Sequence, residues 1–415
     1  MLDINFIREN PDIVKKACKD KNVNINVDLI LDLDKEKRGL MTEFETLKSQ
    51  QNKISRGGKD NNVLITQAKQ LKEKIKLLEP KLKGIDEEFK SLVSKLPNIP
   101  FEEVPVGKDD SENVVLRKVG HKPIFLFSKP KDYMELAEPL DLIDTERAGK
   151  VAGSRFGYIK GELVLMEFAI VKMVFDLLLK KGFKPVLPPV MLKEEMAKGT
   201  GYFESADKDE AYFLQQDNMF LTGTSEQSLI SMHANEVFEE KDLPKRYVGF
   251  STCFRREAGS YGKDTKGILR VHQFDKLEMV IFSTKEQSNS EHELLLEIEE
   301  DLMKKLKLPY QVINICTGDL GLPAAKKYDI ETWIPSENKY RETHSTSNCT
   351  DFQARRLGIR YKDKNNKMQF AHTLNGTAFA IGRILIAIIE NYQQKDGSIK
   401  VPKVLQKYCG FNKIK

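Results

Sequence analysis

From Leu64 to Leu96 apolar residues return at Leu64, Ala68, Leu71, Ile75, Leu78, Leu82, Ile85, Phe89, Leu92 and Leu96, stepping by four and three without a slip. That spacing holds one narrow apolar stripe on one side of an α-helix, and a stripe sustained over more than four heptads is a coiled-coil seam. Such a seam needs a partner of matching length, and the preceding segment supplies one. Leu33, Leu40, Leu47 and Ile54 recur every seven positions, Ile30 and Phe44 fill alternate positions, and Lys37 and Gln51 break the stripe with polar groups. Ser55-Arg-Gly-Gly-Lys-Asp-Asn-Asn62 between them is turn chemistry. The expected product is an antiparallel helical pair, a rod about 45 Å long at 1.5 Å per residue. Pro80 lies inside the second helix, where a proline should cost about 3 kcal/mol. The seam stays in phase across it, so a single helix is expected, with or without a bend there.

From Asp34 to Leu96 fifteen Lys/Arg stand against ten Asp/Glu, a surplus equal to the whole chain's formal net charge of +5. Lys69, Lys72, Lys74, Lys76, Lys81 and Lys83 stud the second helix against Glu73 and Glu79. Two readings stand for this segment: an ordinary solvated face, or a rod that tracks a phosphate backbone.

With 415 residues, more than one domain is expected. Cys18, Cys253, Cys316, Cys349 and Cys409 are scattered, with no Cys-x-x-Cys pair, which points to reduced thiols in a cytosol and to no zinc cluster. The N-terminus mixes acid and base with its apolar residues, unlike a signal peptide, and no apolar run approaches the roughly 20 residues that span a bilayer. Neither secretion nor membrane association is expected. Pro97 to Asn113, rich in Pro, Asp and Glu and without a period, reads as a linker. Beyond it helix and strand mix. Helices are expected over Glu162–Lys181, Glu291–Leu306 and Phe379–Tyr392, and strands over Phe183–Val190, whose prolines suit a sheet edge, and over Gln369–Asn375.

One stretch carries the chemistry. Val248, Phe250, Thr252 and Phe254 alternate before a glycine-bearing loop, and Leu269, Val271, Gln273, Asp275 and Leu277 alternate after it, so Cys253–Glu278 reads as a β-hairpin. Period two puts Arg270, His272, Phe274, Lys276 and Glu278 on one face, and Arg255 with Glu257 on another. A guanidinium grips phosphate in a bidentate fashion, an aromatic ring stacks a base, and a carboxylate takes an ammonium. Gly259, Gly262 and Gly267 leave the loop backbone free to close over a ligand. The alternative is a solvated hairpin with ordinary surface charge. There is no Gly-x-Gly-x-x-Gly and no P-loop, so phosphate would be held by arginine on antiparallel strands.

Phe254-Arg-Arg-Glu-Ala-Gly-Ser and Arg270-Val-His-Gln-Phe-Asp-Lys-Leu-Glu278 resemble motif 2 of the class II aminoacyl-tRNA synthetases in its seryl form. Gly182–Pro189 resembles the strand of motif 1, and Thr373-Leu-Asn-Gly-Thr-Ala-Phe-Ala-Ile-Gly-Arg383 resembles motif 3. Thr224-Ser-Glu226 and Glu342-Thr-His-Ser-Thr-Ser-Asn-Cys349 resemble two further seryl segments, and the family carries an N-terminal coiled-coil arm. The resemblance implies an α+β fold: an antiparallel β-sheet catalytic domain with helices over residues 105–415, preceded by a tRNA-binding domain over 1–104 whose arm covers about 28–96. Motifs 1, 2 and 3 would span about 162–190, 248–281 and 373–393.

The resemblance further implies serine activation with ATP and transfer to tRNA(Ser), and to tRNA(Sec) where one is present, in a cytoplasmic homodimer joined through motif 1 around Pro188 and Pro189. Arg255 would hold the α-phosphate and the serine carboxylate, Glu257 the adenine amino edge, and Phe274 and Arg383 the two faces of the ring. Arg256, Val271, Thr343 and His344 would complete the ATP site, and Glu342 with Ser345 would ligate Mg²⁺. Thr224, Ser225 and Glu226 would bind the serine amino group, and Glu278, Asn375 and Thr377 its side chain. Lys69, Lys72, Lys76 and Lys83 would face tRNA. His272 reads as structural or surface, Tyr261 and Lys263 as tRNA contacts or solvated, and Trp333 as packing.

Two departures stand out. Arg256 occupies a position where serine is common, and Thr377-Ala-Phe379 one where Ser-Gly-Leu is usual. Three other classes compete: a ligase that loads a carrier protein, a non-catalytic paralogue, and a coiled-coil scaffold. The intact seam argues against the first, the presence of Arg255, Glu342 and Arg383 against the second, and everything after Pro97 against the third.

Overall fold

The computed structural model describes residues 1–56, 62–125, 129–202, 211–258 and 266–415. The link expected between the arm helices lies largely outside them, as do Gly259, Tyr261, Gly262 and Lys263 of the hairpin loop. The chain divides into two compact units, Met1–Ile99 and Pro100–Lys415.

In the first unit, α1 (Val27–Arg56) and α2 (Asn62–Ser94) form the expected pair. Ile30, Leu33 and Leu40 of α1 and Ile75, Phe89 and Val93 of α2 are buried, so the seam is closed along its base. Lys37, which breaks the apolar stripe, pairs across the seam with Asp86 at 2.6 Å and lies 4.8 Å from the Phe89 ring centroid. A second pair joins Lys81 to Glu36 at 3.2 Å. Both crossings tie an early residue of α1 to a late one of α2, so they favour one antiparallel register. Pro80 is exposed, and α2 runs through it as one helix. Near the N-terminus Arg8 forks onto Asp34 with bonds of 2.8 and 2.7 Å, tying the helix Ile4–Glu9 to α1.

The expected linker is shorter than its composition suggests. Phe101 and Val104 pack with Ile313, Ile315, Leu320 and Ala324, and the Pro105 and Gly107 carbonyls accept from the Thr317 and Gly318 amides. The second unit begins at Pro100.

Its frame is an eight-stranded sheet built from β1 (Val114–Val119), β2 (Lys184–Val186), β3 (Lys245–Phe254), β4 (Gln273–Ser283), β5 (Tyr310–Asn314), β6 (Lys326–Ile334), β7 (Lys339–Asn348) and β8 (His372–Ala380). Their order is β1-β5-β6-β7-β8-β4-β3-β2. All neighbours are antiparallel except the short edge strand β2, which runs parallel to β3 and contains Pro185, as its prolines require. Helices α3 (Glu162–Lys180), α5 (Ser288–Leu306) and α6 (Ile381–Asn391) share one apolar core with the sheet. On β4, Leu277, Met279 and Ile281 point into that core, which leaves Phe274, Lys276 and Glu278 for the opposite side.

Two boundaries differ from expectation. Phe379 and Ala380 still belong to β8 and α6 begins only at Ile381, because the β8–β4 ladder runs on to Ala380. The expected strand over Gln369–Asn375 divides, with Met368–Phe370 pairing elsewhere. Trp333 is a packing residue, buried with the Lys122 ammonium 3.3 Å from its ring centroid.

Candidate active site

The hairpin of β3 and β4 is real, but its strands are shorter than the alternation implies. β3 ends at Phe254 and β4 starts at Gln273, so Arg255, Glu257, Arg270 and His272 lie on the connecting backbone. Strand parity does not set their directions. His272 spends Nδ1 on the Arg255 carbonyl at 3.0 Å and packs against Phe156, which makes it structural. Glu257 takes φ +54, an uncommon left-handed conformation for a glutamate, and its carboxylate pairs with Arg270 at 3.0 Å. Gly267, at the end of the loop, has φ +65, and a Cβ there would lie 2.1 Å from the Tyr133 hydroxyl. That hydroxyl donates to the Lys266 carbonyl and accepts from the Ile268 amide, clamping the loop base.

Arg255, Glu257, Ile268 and Arg270 form one wall of a cleft. The Arg255 guanidinium lies 5.5 Å from the Phe274 ring centroid, and its Nε donates to the Gly223 carbonyl at 3.3 Å. Arg256 lies over Tyr212 at 5.5 Å and does not line the cleft. Across the cleft, Arg383 donates to the Glu342 carbonyl at 3.0 Å and pairs with its carboxylate at 3.3 Å. Desolvation alone would raise the pKa of Glu342, but the charges of Arg383, Lys327 and Arg255 hold it down at about 2. Val271, Thr343 and Ser345 line the same cleft. His344 does not. The strand's alternation turns it inward, where Nδ1 meets the Thr343 hydroxyl at 2.8 Å and the ring packs on Phe379 at 5.1 Å.

Lys276 and Thr377 also line this cleft. A bulge between Leu277 and Glu278 brings Glu278 opposite Thr377, whose hydroxyl donates to Glu278 Oε2 at 3.1 Å. Lys276, which strand parity placed on this face without a role, pairs with the same oxygen at 2.7 Å. Asn375 is buried beside them, with Nδ2 3.7 Å from Cys349 Sγ.

Thr224 caps α4 (Ser225–Ser231), its hydroxyl accepting from the Glu226 amide at 3.3 Å. Glu226 is buried between the Tyr202 hydroxyl and the Gln353 amide, each at 2.9 Å. Ser225 faces away: a Cβ on Gly249 of β3 would lie 3.0 Å from its Oγ, so the helix uses it to pack on bare backbone. Tyr202 and Gln353 lie in no quoted motif, and Lys276, inside the motif 2 segment, was given no role. Only the fold brings Gln353 to Glu226 across 127 positions.

Behind the cleft Asp275 points to the core side, accepting from Thr252 Oγ1 at 2.6 Å. Glu167 of α3 is hydrogen-bonded to the same carboxyl, and burial, then the charge of Asp275, pushes its pKa from 4.5 up to about 8. The folded state thus keeps a proton that the unfolded chain releases, so stability falls as pH rises from about 4.5 to about 8. Glu167→Gln keeps a donor without the charge. It is expected to flatten that slope and to be more stable than the parent at the upper end by at least about 1 kcal/mol. Thermal unfolding across this pH range is the measurement, and parallel slopes for the two proteins refute the assignment.

For a metal the donor set is oxygen only: the ionised Glu342 carboxylate, about half accessible, and the nearby Ser345 hydroxyl. Among the described residues no group of three or more His, Cys, Asp or Glu is placed to hold an ion. One carboxylate completed by phosphate oxygens fits Mg²⁺ arriving with a nucleotide.

An antiparallel-rich sheet with helices, one arginine lining a cleft where a hairpin strand ends and a second on the helix after the last sheet strand, is the framework of a class II aminoacyl-tRNA synthetase core. Residues 212–392 match the tRNA synthetase class II core domain (G, H, P, S and T), and residues 1–100 match the seryl-tRNA synthetase N-terminal domain. Serine--tRNA ligases of Treponema denticola and Dictyoglomus thermophilum are 43% and 45% identical, with 100% of this chain and at least 99% of each relative covered. The crystal structure of seryl-tRNA synthetase from Pyrococcus horikoshii complexed with ATP superposes with a TM-score of 0.92 at 42% identity, covering 100% of this chain and 99% of that one. The chain belongs to the seryl-tRNA synthetase family.

Proposed function

We propose that this protein activates L-serine with ATP and transfers it to tRNA(Ser). The observation that carries the reading is one continuous cleft in which Arg255, Phe274, Glu342 and Arg383 stand above the buried Glu278–Thr377 pair. The upper part suits a nucleotide and the floor a small hydroxylated side chain. A serine carboxylate oxygen attacks the α-phosphorus, the bond to the bridging oxygen breaks, and pyrophosphate leaves. The terminal adenosine hydroxyl of tRNA then attacks the seryl carbonyl, and AMP leaves. Little covalent help is needed, so catalysis is positioning and charge.

Arg255 holds the α-phosphate and the serine carboxylate. Phe274 and Arg383 take the faces of the adenine, and Glu257 its amino edge. Thr224 and Glu226 bind the ammonium, and Glu278, Asn375 and Thr377 the hydroxyl. Glu342 and Ser345 would hold Mg²⁺, which neutralises phosphate charge when bound. The arm reads tRNA through Lys69, Lys72, Lys76 and Lys83, all exposed, with Lys83 lying 3.8 Å from Glu87. tRNA(Sec) is a second substrate where present. Two copies pair through motif 1, supported by the exposed Leu165, Phe168 and Leu179 on α3 and Leu187 beside the edge strand. The protein works in the cytoplasm, and among the described residues no helix is long and apolar enough to cross a membrane.

Pyrophosphate exchange with each amino acid alone, followed by tRNA charging, tests the reading. Exchange that prefers another amino acid, or none, rejects it. Thr377 refines it. Its methyl adjoins the pocket proposed for the substrate hydroxyl, and one methyl is worth about 1–3 kcal/mol in a pocket. Thr377→Ser is expected to lower the serine-over-threonine activation ratio by about tenfold or more. An unchanged ratio refutes the role.

A further inference from the structure

The carboxylate of Glu226 sits at the end of a buried chain of hydrogen bonds. Gln353, in the short helix Phe352–Leu357, is fully buried at 0% exposure. Thr373 Oγ1 donates to Gln353 Oε1 at 2.6 Å, which fixes the orientation of the amide. Its Nε2 then donates both to the Thr200 carbonyl and to Glu226 Oε1, each at 2.9 Å. The Tyr202 hydroxyl donates to Glu226 Oε2. Each carboxylate oxygen accepts one fixed bond and keeps lone-pair capacity for a substrate ammonium.

We infer that Gln353 is a positioning residue for amino-group recognition: it fixes the direction of the Glu226 carboxylate and keeps it ionised in a water-poor site. The inference rests on the reading of Glu226 as the ammonium ligand. Its physical basis is a balance of opposed effects. Burial, then the negative charge of Glu278 on β4, pushes the pKa of Glu226 up to about 7, while hydrogen bonds from Gln353 and Tyr202 and the Lys276 ammonium oppose the rise. Among the described residues, the titratable groups facing this cluster are Glu278 and Lys276 of β4, Tyr202 ahead of α4, and the Cys349 thiol after β7. Tyr202 is itself held far above its ordinary range by burial and by the charge of Glu226, so it stays a neutral donor. With Glu226 so finely balanced, loss of one amide donor favours its neutral form, and a neutral carboxyl does not pair with an ammonium.

The test compares full-length Gln353→Met, close in size but without an amide, and Thr373→Val, which frees the amide to rotate. Serine-dependent pyrophosphate exchange is measured between about pH 6 and about pH 9, with KM determined separately for serine and for ATP. For Gln353→Met the KM for serine is expected to rise about tenfold or more near neutrality, with the KM for ATP within about twofold. The acid limb of kcat/KM for serine should move up by about one unit, so that the defect shrinks in alkali. Thr373→Val should show a weaker shift of the same limb, and it carries the test alone if Gln353→Met fails to fold. Glu226→Gln separates the two layers. If it leaves the KM for serine unchanged, the ammonium reading falls and this inference with it. If it impairs serine binding while the other two variants keep the parent's acid limb, the inference alone is overturned. Equal losses toward serine and ATP, with no movement of the limb, also overturn it.

Discussion

Arg255→Ala is expected to reduce serine-dependent pyrophosphate exchange by about 10³-fold, with most of the loss in kcat. The guanidinium stands where β3 ends; among the described residues it makes no ion pair with a carboxylate, although its charge helps hold Glu342 ionised, and it contacts the Gly223 carbonyl through a long bond and the Phe274 ring. It is therefore available to phosphate. The α-phosphorus gains negative charge at its equatorial oxygens as the serine carboxylate adds, so a fork donor there binds the transition state better than the ground state. Removing one such preorganised donor typically costs about 10² to 10³ in kcat, and Arg255 is also proposed to order the attacking carboxylate. Arg255→Lys keeps the charge and loses the fork, and is expected to recover only part of the rate. Steady-state exchange with both variants decides the matter. A kcat within tenfold of the parent would remove Arg255 from the reacting centre, as would a loss confined to the KM for ATP.

Deleting residues 30–96 is expected to leave exchange within about twofold of the parent while charging of tRNA(Ser) falls by about 10³-fold or more. The physical case rests on where α1 and α2 find their stability. They bury their seam in each other, and their crossing ion pairs, Lys37–Asp86 and Lys81–Glu36, lie within the arm. Meanwhile every residue assigned to ATP and serine lies in the unit that starts at Pro100. A gentler variant replaces Lys69, Lys72, Lys76 and Lys83 by alanine. Each lysine that contacts a phosphate should lower the salt dependence of tRNA binding by about one unit of slope. Charging that survives the deletion refutes the arm as the tRNA reader, and an unchanged salt slope refutes the four lysines.

Much of this architecture is legible in the chain itself, for identifiable reasons. The seam is local and periodic, and its phase survives Pro80, so the arm follows from spacing. On β4 the period of two puts Phe274, Lys276 and Glu278 on the face opposite Leu277, Met279 and Ile281. The same logic fails one step beyond the strand, where parity no longer applies: Arg270 and His272 sit on turning backbone, and His272 is used up by the Arg255 carbonyl. Motif membership likewise says nothing about direction. Ser225 and His344 belong to matching segments, yet one packs against Gly249 and the other against Phe379. The supposed linker misleads because two apolar residues and three backbone bonds dock a stretch that composition marks as loose.

By itself, then, the sequence determined the elements whose information is local: two long helices, a polar hairpin, and the residues proposed to meet phosphate, base and amino acid. Only the tertiary structure decided which of those groups turn toward one another. The Glu278–Thr377 bond depends on a bulge in the β4–β8 register. The Glu226–Gln353 bond depends on segments far apart in the chain, and the raised pKa of Glu226 depends on how much water the assembled sheet excludes. Burial, register and long-range pairing are properties of the packed chain, and no short window of residues encodes them.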